Sequence, residues 1–122
     1  VERSRGLGDV YKRQCLTEPM DYPALISLLQ RCYFTLTDSG GIQEEASALR
    51  RPVLIARDST ERQELVEAGG AVLVGTDIRR MVTEAARLLR DDGAYRSMQL
   101  ESSPFGDGHT AQHIADRLCT VD

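Results

Sequence analysis

The stretch YFTLTDSGGIQEEASALRRPVLIA, residues 33–56, decides the fold class. It begins with a short run of aromatic and β-branched residues, Tyr33 to Thr37, which favours a strand. Asp38 to Gly41 interrupts the run, and Ile42 to Leu49 follows with a helical pattern. The continuous apolar run Val53 to Ala56 is typical of a strand covered on both faces. The stretch therefore predicts a strand–helix–strand unit.

The same alternation extends in both directions along the chain. Upstream, apolar residues from Tyr22 to Cys32 recur at helical spacing, and Cys15 to Thr17 is the expected end of a strand. Further elements are predicted, in chain order, as a helix at Glu61–Glu67 capped by Gly69–Gly70, a strand at Ala71–Val74, and helices at Ile78–Leu89, Ala94–Leu100 and Thr110–Leu118. In the first of those three helices, Ile78, Met81, Val82, Ala85, Ala86, Leu88 and Leu89 make a wide apolar face.

Short buried strands that alternate with helices favour parallel pairing through crossover connections. The predicted fold is therefore α/β, a Rossmann-like open parallel sheet with helices on both faces. A length of 122 residues suits one domain of this kind. Hydrophobic residues make up 41% of the chain and charged residues 28%, values that exclude the disordered and fibrous classes.

Charge and hydropathy narrow the function classes. The net charge of −4 argues against a protein that holds nucleic acid by neutralising phosphates. No apolar run approaches the length of a membrane span, so we expect neither a membrane nor a nucleic-acid partner, and a cytoplasmic location. Cys15, Cys32 and Cys119 have unrelated spacings and are expected to be buried or half-buried free thiols.

The first fourteen residues differ in composition from the rest. Val1 to Gln14 contains four basic residues against two acidic ones and has neither helical nor strand periodicity. We predict that this segment is a non-native or disordered leader and that the domain begins at Cys15. A native but irregular arm is the alternative.

Residues 38–41 lie where a strand ends and a helix begins. Two adjacent glycines, Gly40 and Gly41, allow a ligand to approach the backbone closely, and the unpaired N–H groups of a first helical turn favour an anion. Because ligands of open α/β sheets bind beyond the carboxyl ends of the strands, this loop is a candidate phosphate cradle. The alternative is a tight turn in which Asp38 or Ser39 caps an ordinary helix.

Charged residues follow on the same sheet edge. Glu44 and Glu45 lie within the first turns of the helix, where one carboxylate is expected to bind ribose hydroxyls. The commoner role of such acids is to complement the helix dipole. Arg57 and Arg62 flank the next loop, where an arginine can bind a phosphate through two N–H groups. The alternative is a solvated arginine paired with Glu61 or Asp58, an arrangement that we expect for Arg57 more than for Arg62.

A metal site has weak support. His109 and His113 are spaced to share a helix face, with Asp107 and Asp116 as the additional candidate ligands, but no H-E-x-x-H pattern is present. We therefore predict no metal site and interpret the two histidines as a solvated helix start.

The run from Leu36 to Ala46 resembles the signature loop and helix of the non-hydrolysing UDP-N-acetylglucosamine 2-epimerases. The similarity continues in register through four further motifs, Arg51–Leu54, Arg57–Arg62, Val74–Asp77 and Pro104–Gly108. The resemblance implies that residues 15–122 are the UDP-binding, carboxyl-terminal half of a two-domain glycosyltransferase-B-like fold. It implies a homodimeric full-length enzyme, without a cofactor, that interconverts UDP-N-acetylglucosamine and UDP-N-acetylmannosamine by eliminating and re-adding UDP.

The resemblance also implies roles for individual residues. Ser39, Gly40 and Gly41 would contact the pyrophosphate, Glu45 the ribose, and Arg62 the region between diphosphate and sugar. The segment that contains Met20 and Leu25 would flank the uracil, although family members commonly have glutamine and phenylalanine at these two positions. The segment Ala48–Arg51 also differs from the family pattern, which usually has a glycine before the basic residue.

The catalytic acid and base are attributed in this family to an amino-terminal domain that the chain does not contain, so we expect the chain alone to be inactive. Two alternative functions fit the same architecture. One is the nucleotide-binding half of a glycosyltransferase, and the other is a hydrolysing epimerase that releases N-acetylmannosamine. A nucleotide-binding or regulatory module without catalysis is a third, from a different class.

Overall fold

The computed structural model describes residues 13–106 and 108–119. In chain order the elements are α1 (Tyr22–Arg31), β1 (Thr35–Thr37), α2 (Gly40–Ala48), β2 (Val53–Ile55), α3 (Gln63–Glu67), β3 (Ala71–Leu73), α4 (Ile78–Arg90), α5 (Asp92–Ser97) and α6 (Thr110–Cys119). Of the predicted leader Val1–Gln14, all but the last two residues lie outside the described part of the chain. Within the described ranges, no helix is long and apolar enough to cross a bilayer.

The three strands form one parallel sheet in the order β1–β2–β3. Thr35 lies opposite Val53, and Val53 lies opposite Ala71, so the strands begin at the same level and end at the same edge. Helix α2 connects β1 to β2, and α3 connects β2 to β3. The predicted open parallel α/β sheet is confirmed.

The central strand β2 has a hydrophobic cluster on each of its faces. Val53 and Ile55 pack with Leu29 of α1, Ala46 of α2 and Leu65 of α3. Leu54 faces the other way and packs with a second group, which consists of Val74, Leu88, Tyr95 and Met98. Because alternate side chains of a strand point to opposite faces, helices cover both sides of the sheet, as the apolar run predicted.

Several predicted boundaries differ from the structure. The strands are shorter than the apolar runs that predicted them, since pairing ends at Thr37, Ile55 and Leu73. Helix α2 begins at Gly40, so both glycines lie in its first turn rather than before it. The strand end expected at Cys15 to Thr17 does not form, and these residues are exposed and without regular secondary structure.

Burial differs in part from the sequence-based expectation on α4 and at the cysteines. On α4, Met81, Ala85 and Leu88 contact the core, but Ile78, Val82 and Leu89 are exposed, so the buried face is narrower than the apolar pattern. All three cysteines are free, but Cys15 and Cys119 are exposed because one lies outside the sheet and the other ends the fully exposed α6. Cys32 is half-buried, and burial raises the pKa of its thiol.

Helices α2 and α3 end in the same way, in a Schellman motif that turns the chain into the next strand. After α3, the N–H of Gly70 donates to the carbonyl of Leu65, and Gly69 has a φ of 89°. After α2, the N–H of Arg51 donates to the carbonyl of Ala46, and Arg50 has a φ of 59°. Arg50 thus occupies a left-handed position that glycine normally fills.

Contacts of Arg50 with the chain after α5 offset this backbone strain. Its Nε donates to the carbonyl of Leu100 at 3.1 Å, and the side chain of Gln99 donates to the Arg50 carbonyl at 3.3 Å. A left-handed backbone costs an L-residue roughly 1 to 2 kcal/mol, whereas an exposed hydrogen bond contributes about 1 kcal/mol. The side-chain contact therefore compensates for only part of the strain.

We predict that Arg50→Gly is more stable than Arg50→Ala by about 1 kcal/mol, since both lose the Leu100 contact and only alanine keeps the strain. Urea unfolding of the two variants measures the difference. Arg90, the last residue of α4, is the matched control, because glycine there should be less stable than alanine. Equal stabilities of the two Arg50 variants would contradict the strain.

Candidate functional site

The carboxyl end of β1 leads into the start of α2 through Asp38 and Ser39. The Ser39 N–H donates to the Thr37 hydroxyl at 3.0 Å, and Ser39 caps the helix by accepting from the N–H of Ile42 at 3.3 Å. The backbone hydrogen-bond ladder begins only at Gln43, whose N–H donates to the Ser39 carbonyl. The N–H groups of Gly40 and Gly41 precede this ladder and have no intrahelical acceptor. They are available to an anion.

The side chain of Arg62 lies directly over Gly40. A Cβ atom built on Gly40 would lie 2.5 Å from Nη1 of Arg62 and 2.6 Å from Cζ, distances that no real side chain tolerates. A side chain at Gly40 would therefore displace the guanidinium from this position. The predicted convergence of the glycine loop with the arginine loop is confirmed for Arg62.

Two carboxylates hold the guanidinium in this place. Nε of Arg62 lies 3.0 Å from Glu44 Oε1, and Nη1 lies 3.1 Å from Glu61 Oε2. We expected pairing with Glu61 more for Arg57, which is exposed in the loop that follows β2, but the structure gives it to Arg62. Arg62 reaches Glu44 on α2 with Nε and its sequence neighbour Glu61 with Nη1.

Positive and negative groups meet at the start of α2. The first turn of α2 contains no acidic residue, so its partial positive charge and the Arg62 cation lie together. Glu44 and Glu61 offset the repulsion between these two positive charges, but their side chains are 47% and 78% exposed. Exposed ion pairs contribute only about 0 to 1 kcal/mol each, so a phosphate can replace them at little cost.

Glu45 has a different partner from Glu44. The phenol of Tyr22, at the start of α1, donates to Glu45 Oε1 at 2.8 Å. This hydrogen bond raises the pKa of Tyr22, with smaller contributions from desolvation and from the negative charge of Glu45. Because α2 begins at Gly40, both acids lie in its second turn, where the helix dipole has largely faded. Dipole complementation therefore does not explain them.

A groove of about 430 Å³ runs between α1 and α2 beside Glu45. Tyr22, Pro23 and Ile26 line one wall, and Ala48 and Leu49 line the other. Met20 and Leu25, the predicted uracil neighbours, are not among its lining residues. Met20 is exposed at the chain entry to α1, whereas Leu25 packs partly buried against the core.

The histidines do not take part in this arrangement. His109 precedes α6 and His113 lies in its first turn, and both are exposed. Asp107, one predicted ligand, lies outside the described residues. Within residues 13–106 and 108–119, no group of three or more histidine, cysteine or acidic side chains could hold a metal ion.

The parallel sheet, the glycine pair at a helix start and the arginine from the next loop define a Rossmann-type domain with a candidate anion site at the carboxyl edge of its sheet. Comparison with known proteins identifies the family. The profile of the UDP-N-acetylglucosamine 2-epimerase family matches residues 3–119. The chain belongs to the UDP-N-acetylglucosamine 2-epimerase family. The matched range begins inside the predicted leader, whose origin stays a prediction.

Relatives of known sequence and structure agree with this assignment. The UDP-N-acetylglucosamine 2-epimerase of Yersinia pestis is 48% identical over 103 residues, which are 84% of this chain and 27% of that protein. MnaA of S. aureus, solved with UDP, is 38% identical with a TM-score of 0.84, covering 96% of this chain and 32% of that one. The Neisseria meningitidis enzyme bound to UDP-GlcNAc is 37% identical with a TM-score of 0.79, covering 87% and 29%. The chain thus spans less than a third of the length of each of these relatives.

The Tyr22–Glu45 hydrogen bond predicts a titration effect. In Glu45→Gln, the pKa of Tyr22 should fall towards its ordinary value, because the charged acceptor that stabilises the phenol is lost. NMR titration of the tyrosine ring carbons measures it. Glu44→Gln is the matched control and should leave the Tyr22 pKa unchanged.

The same shift makes a prediction about stability. The pKa of Tyr22 is raised in the folded state. The contribution of its hydrogen bond to the free energy of unfolding is therefore complete below the pKa of tyrosine in the unfolded chain, and it is lost as the pH rises through the folded-state pKa. The free energy of unfolding should therefore fall more steeply in this alkaline range for the unmodified chain than for Glu45→Gln. Parallel pH profiles for the two proteins would contradict the hydrogen bond.

Proposed function

We propose that this chain is the UDP-binding part of an enzyme that interconverts UDP-N-acetylglucosamine and UDP-N-acetylmannosamine. The observation that supports it most is the position of the Arg62 guanidinium over Gly40, beside the unpaired N–H groups of the first turn of α2. The guanidinium and the backbone N–H groups are hydrogen-bond donors, and a diphosphate supplies negative charge and acceptor oxygens for them. UDP and UDP-GlcNAc are the ligands named for the solved S. aureus and N. meningitidis relatives.

The diphosphate would bind at the start of α2. Gly40 and Gly41 would donate their backbone N–H groups, and the Ser39 hydroxyl, which accepts from Ile42, still has its own proton to donate. Arg62 would exchange its bonds to Glu44 and Glu61 for bonds to phosphate oxygens. A planar guanidinium can make two such bonds at once, which a lysine cannot.

The nucleoside would lie towards α1. Glu45 would accept hydrogen bonds from the ribose hydroxyls, and its Oε1 is already oriented by Tyr22. The uracil would follow near Met20 and Leu25. Since Leu25 packs partly against the core, its role would be to support the base from beneath, whereas the exposed Met20 is free to contact it.

In the reaction, this part of the enzyme would hold the leaving group. Elimination breaks the bond between C1 and the diphosphate oxygen while a proton leaves C2, and re-addition from the glucal intermediate restores the sugar with either configuration at C2. Positive charge at Arg62 and α2 stabilises the negative charge that develops on the departing UDP. The catalytic acid and base would come from outside residues 1–122, so the chain alone should not epimerise UDP-sugars.

The competing functions receive less support. A glycosyltransferase of similar architecture would also bind a nucleotide at this edge, but the family profile spans almost the whole chain and is that of the epimerases. No observation favours the hydrolysing variant. A homodimeric full-length enzyme and a cytoplasmic location also belong to this proposal and rest on the family resemblance.

Two substitutions separate the proposed contacts. Glu45→Ala should weaken UDP binding by about 1 to 3 kcal/mol, because a charged acceptor of the ribose is lost, but should leave pyrophosphate binding unchanged. Arg62→Lys should weaken both ligands, since a point charge replaces a two-pronged donor. Calorimetric titration of the chain with UDP and with pyrophosphate measures both.

Glu84→Ala and Arg87→Lys are the matched controls, because this pair lies on α4, on the opposite side of the sheet, and should affect neither ligand. Equal loss of both ligands in Glu45→Ala would refute the ribose contact. Unchanged binding of both ligands in Arg62→Lys would refute the diphosphate contact.

A further inference from the structure

Two polar side chains are buried beside the proposed diphosphate site. Gln43 of α2 has no exposed surface, and Thr60, in the loop after β2, is 6% exposed. Neither contacts the groove beside Glu45, and neither belongs to the residues to which the family resemblance gives a role. Buried polar groups cost stability unless they are hydrogen-bonded, so their partners are informative.

The Thr60 hydroxyl joins α2 to the backbone of Arg62. It donates to Gln43 Oε1 at 2.9 Å and accepts from the N–H of Arg62 at 3.0 Å. A hydroxyl has one proton to donate and lone pairs to accept, so both bonds form at the same time. The backbone of Arg62 is thereby fixed relative to the helix whose first turn its guanidinium covers.

This connection does not serve packing alone. Nε2 of Gln43 is buried without a hydrogen-bond partner among the described residues, which makes the amide a costly group at this position. An apolar side chain of similar volume would fill the space without that cost. The bond to Thr60 is what the amide contributes and a hydrocarbon cannot.

We propose that Gln43 and Thr60 form a positioning pair for Arg62. The pair sets the backbone of Arg62 so that its guanidinium lies over Gly40, and it supports diphosphate binding through Arg62 without touching the ligand. This inference rests on the proposed function, because it assumes that Arg62 binds a diphosphate.

The test uses Thr60→Val, which removes the hydroxyl and keeps the shape of the side chain. Calorimetric titration with pyrophosphate should show an affinity lower by roughly fivefold or more, the size expected for coupled neighbours. Thr60→Ser keeps the hydroxyl and should retain the affinity. In an Arg62→Ala background, Thr60→Val should cause no further loss.

A second variant separates positioning from folding. Thr60→Val leaves Gln43 with an unsatisfied oxygen and lowers stability, whereas Gln43→Met combined with Thr60→Val removes both polar groups and should recover much of that stability. The double variant should still bind pyrophosphate weakly, because the connection to Arg62 is absent. Urea unfolding measures the stability of each protein.

The outcomes distinguish the two proposals. Unchanged affinity in Thr60→Val, or the same loss with and without Arg62, would overturn the positioning pair and leave the diphosphate site standing. Recovery of affinity together with stability in the double variant would also overturn it. If Arg62→Ala itself leaves pyrophosphate binding unchanged, both the proposed diphosphate site and the positioning role are refuted.

Discussion

The packing of the Arg62 guanidinium on the backbone of Gly40 is the contact on which the proposed site depends. It joins two loops, one after β1 and one after β2, that parallel pairing brings to the same edge of the sheet. It also places a cation at the positive end of α2, an arrangement that is unfavourable by itself. Glu44 and Glu61 offset it through exposed ion pairs, and an anionic ligand would offset it more completely.

Two adjacent acids of α2 serve two different neighbours because successive side chains on a helix point about 100° apart. Glu44 faces the loop that contains Arg62, whereas Glu45 faces α1 and the phenol of Tyr22. The helix therefore presents one carboxylate towards the phosphate side and the other towards the proposed nucleoside side. This separation is the physical basis for expecting independent effects of Glu45 and Arg62 on ligand affinity.

The sequence predicted the sheet well because Val53 to Ile55 is apolar without interruption, and that pattern has few explanations other than a central strand. It predicted that Arg62 and the glycine pair would meet, since both follow parallel strands. It could not show which arginine pairs with Glu61, because Arg57 and Arg62 flank the same loop. It also missed the pairing of Gln43 with Thr60 and of Tyr22 with Glu45, because these contacts join α2 to residues 17 to 23 positions away. The apolar pattern of α4 overstated burial, because Ile78 and Val82 are exposed and only Met81, Ala85 and Leu88 join the core.

NMR of the backbone amides during ligand titration would test the central claim most directly. Addition of pyrophosphate to the chain should shift the amide signals of Gly40 and Gly41 and the Nε–H signal of Arg62, and UDP should shift these and the Tyr22 ring as well. If saturation of the protein with either ligand leaves the signals of Gly40, Gly41 and Arg62 unmoved, the diphosphate does not bind at the start of α2.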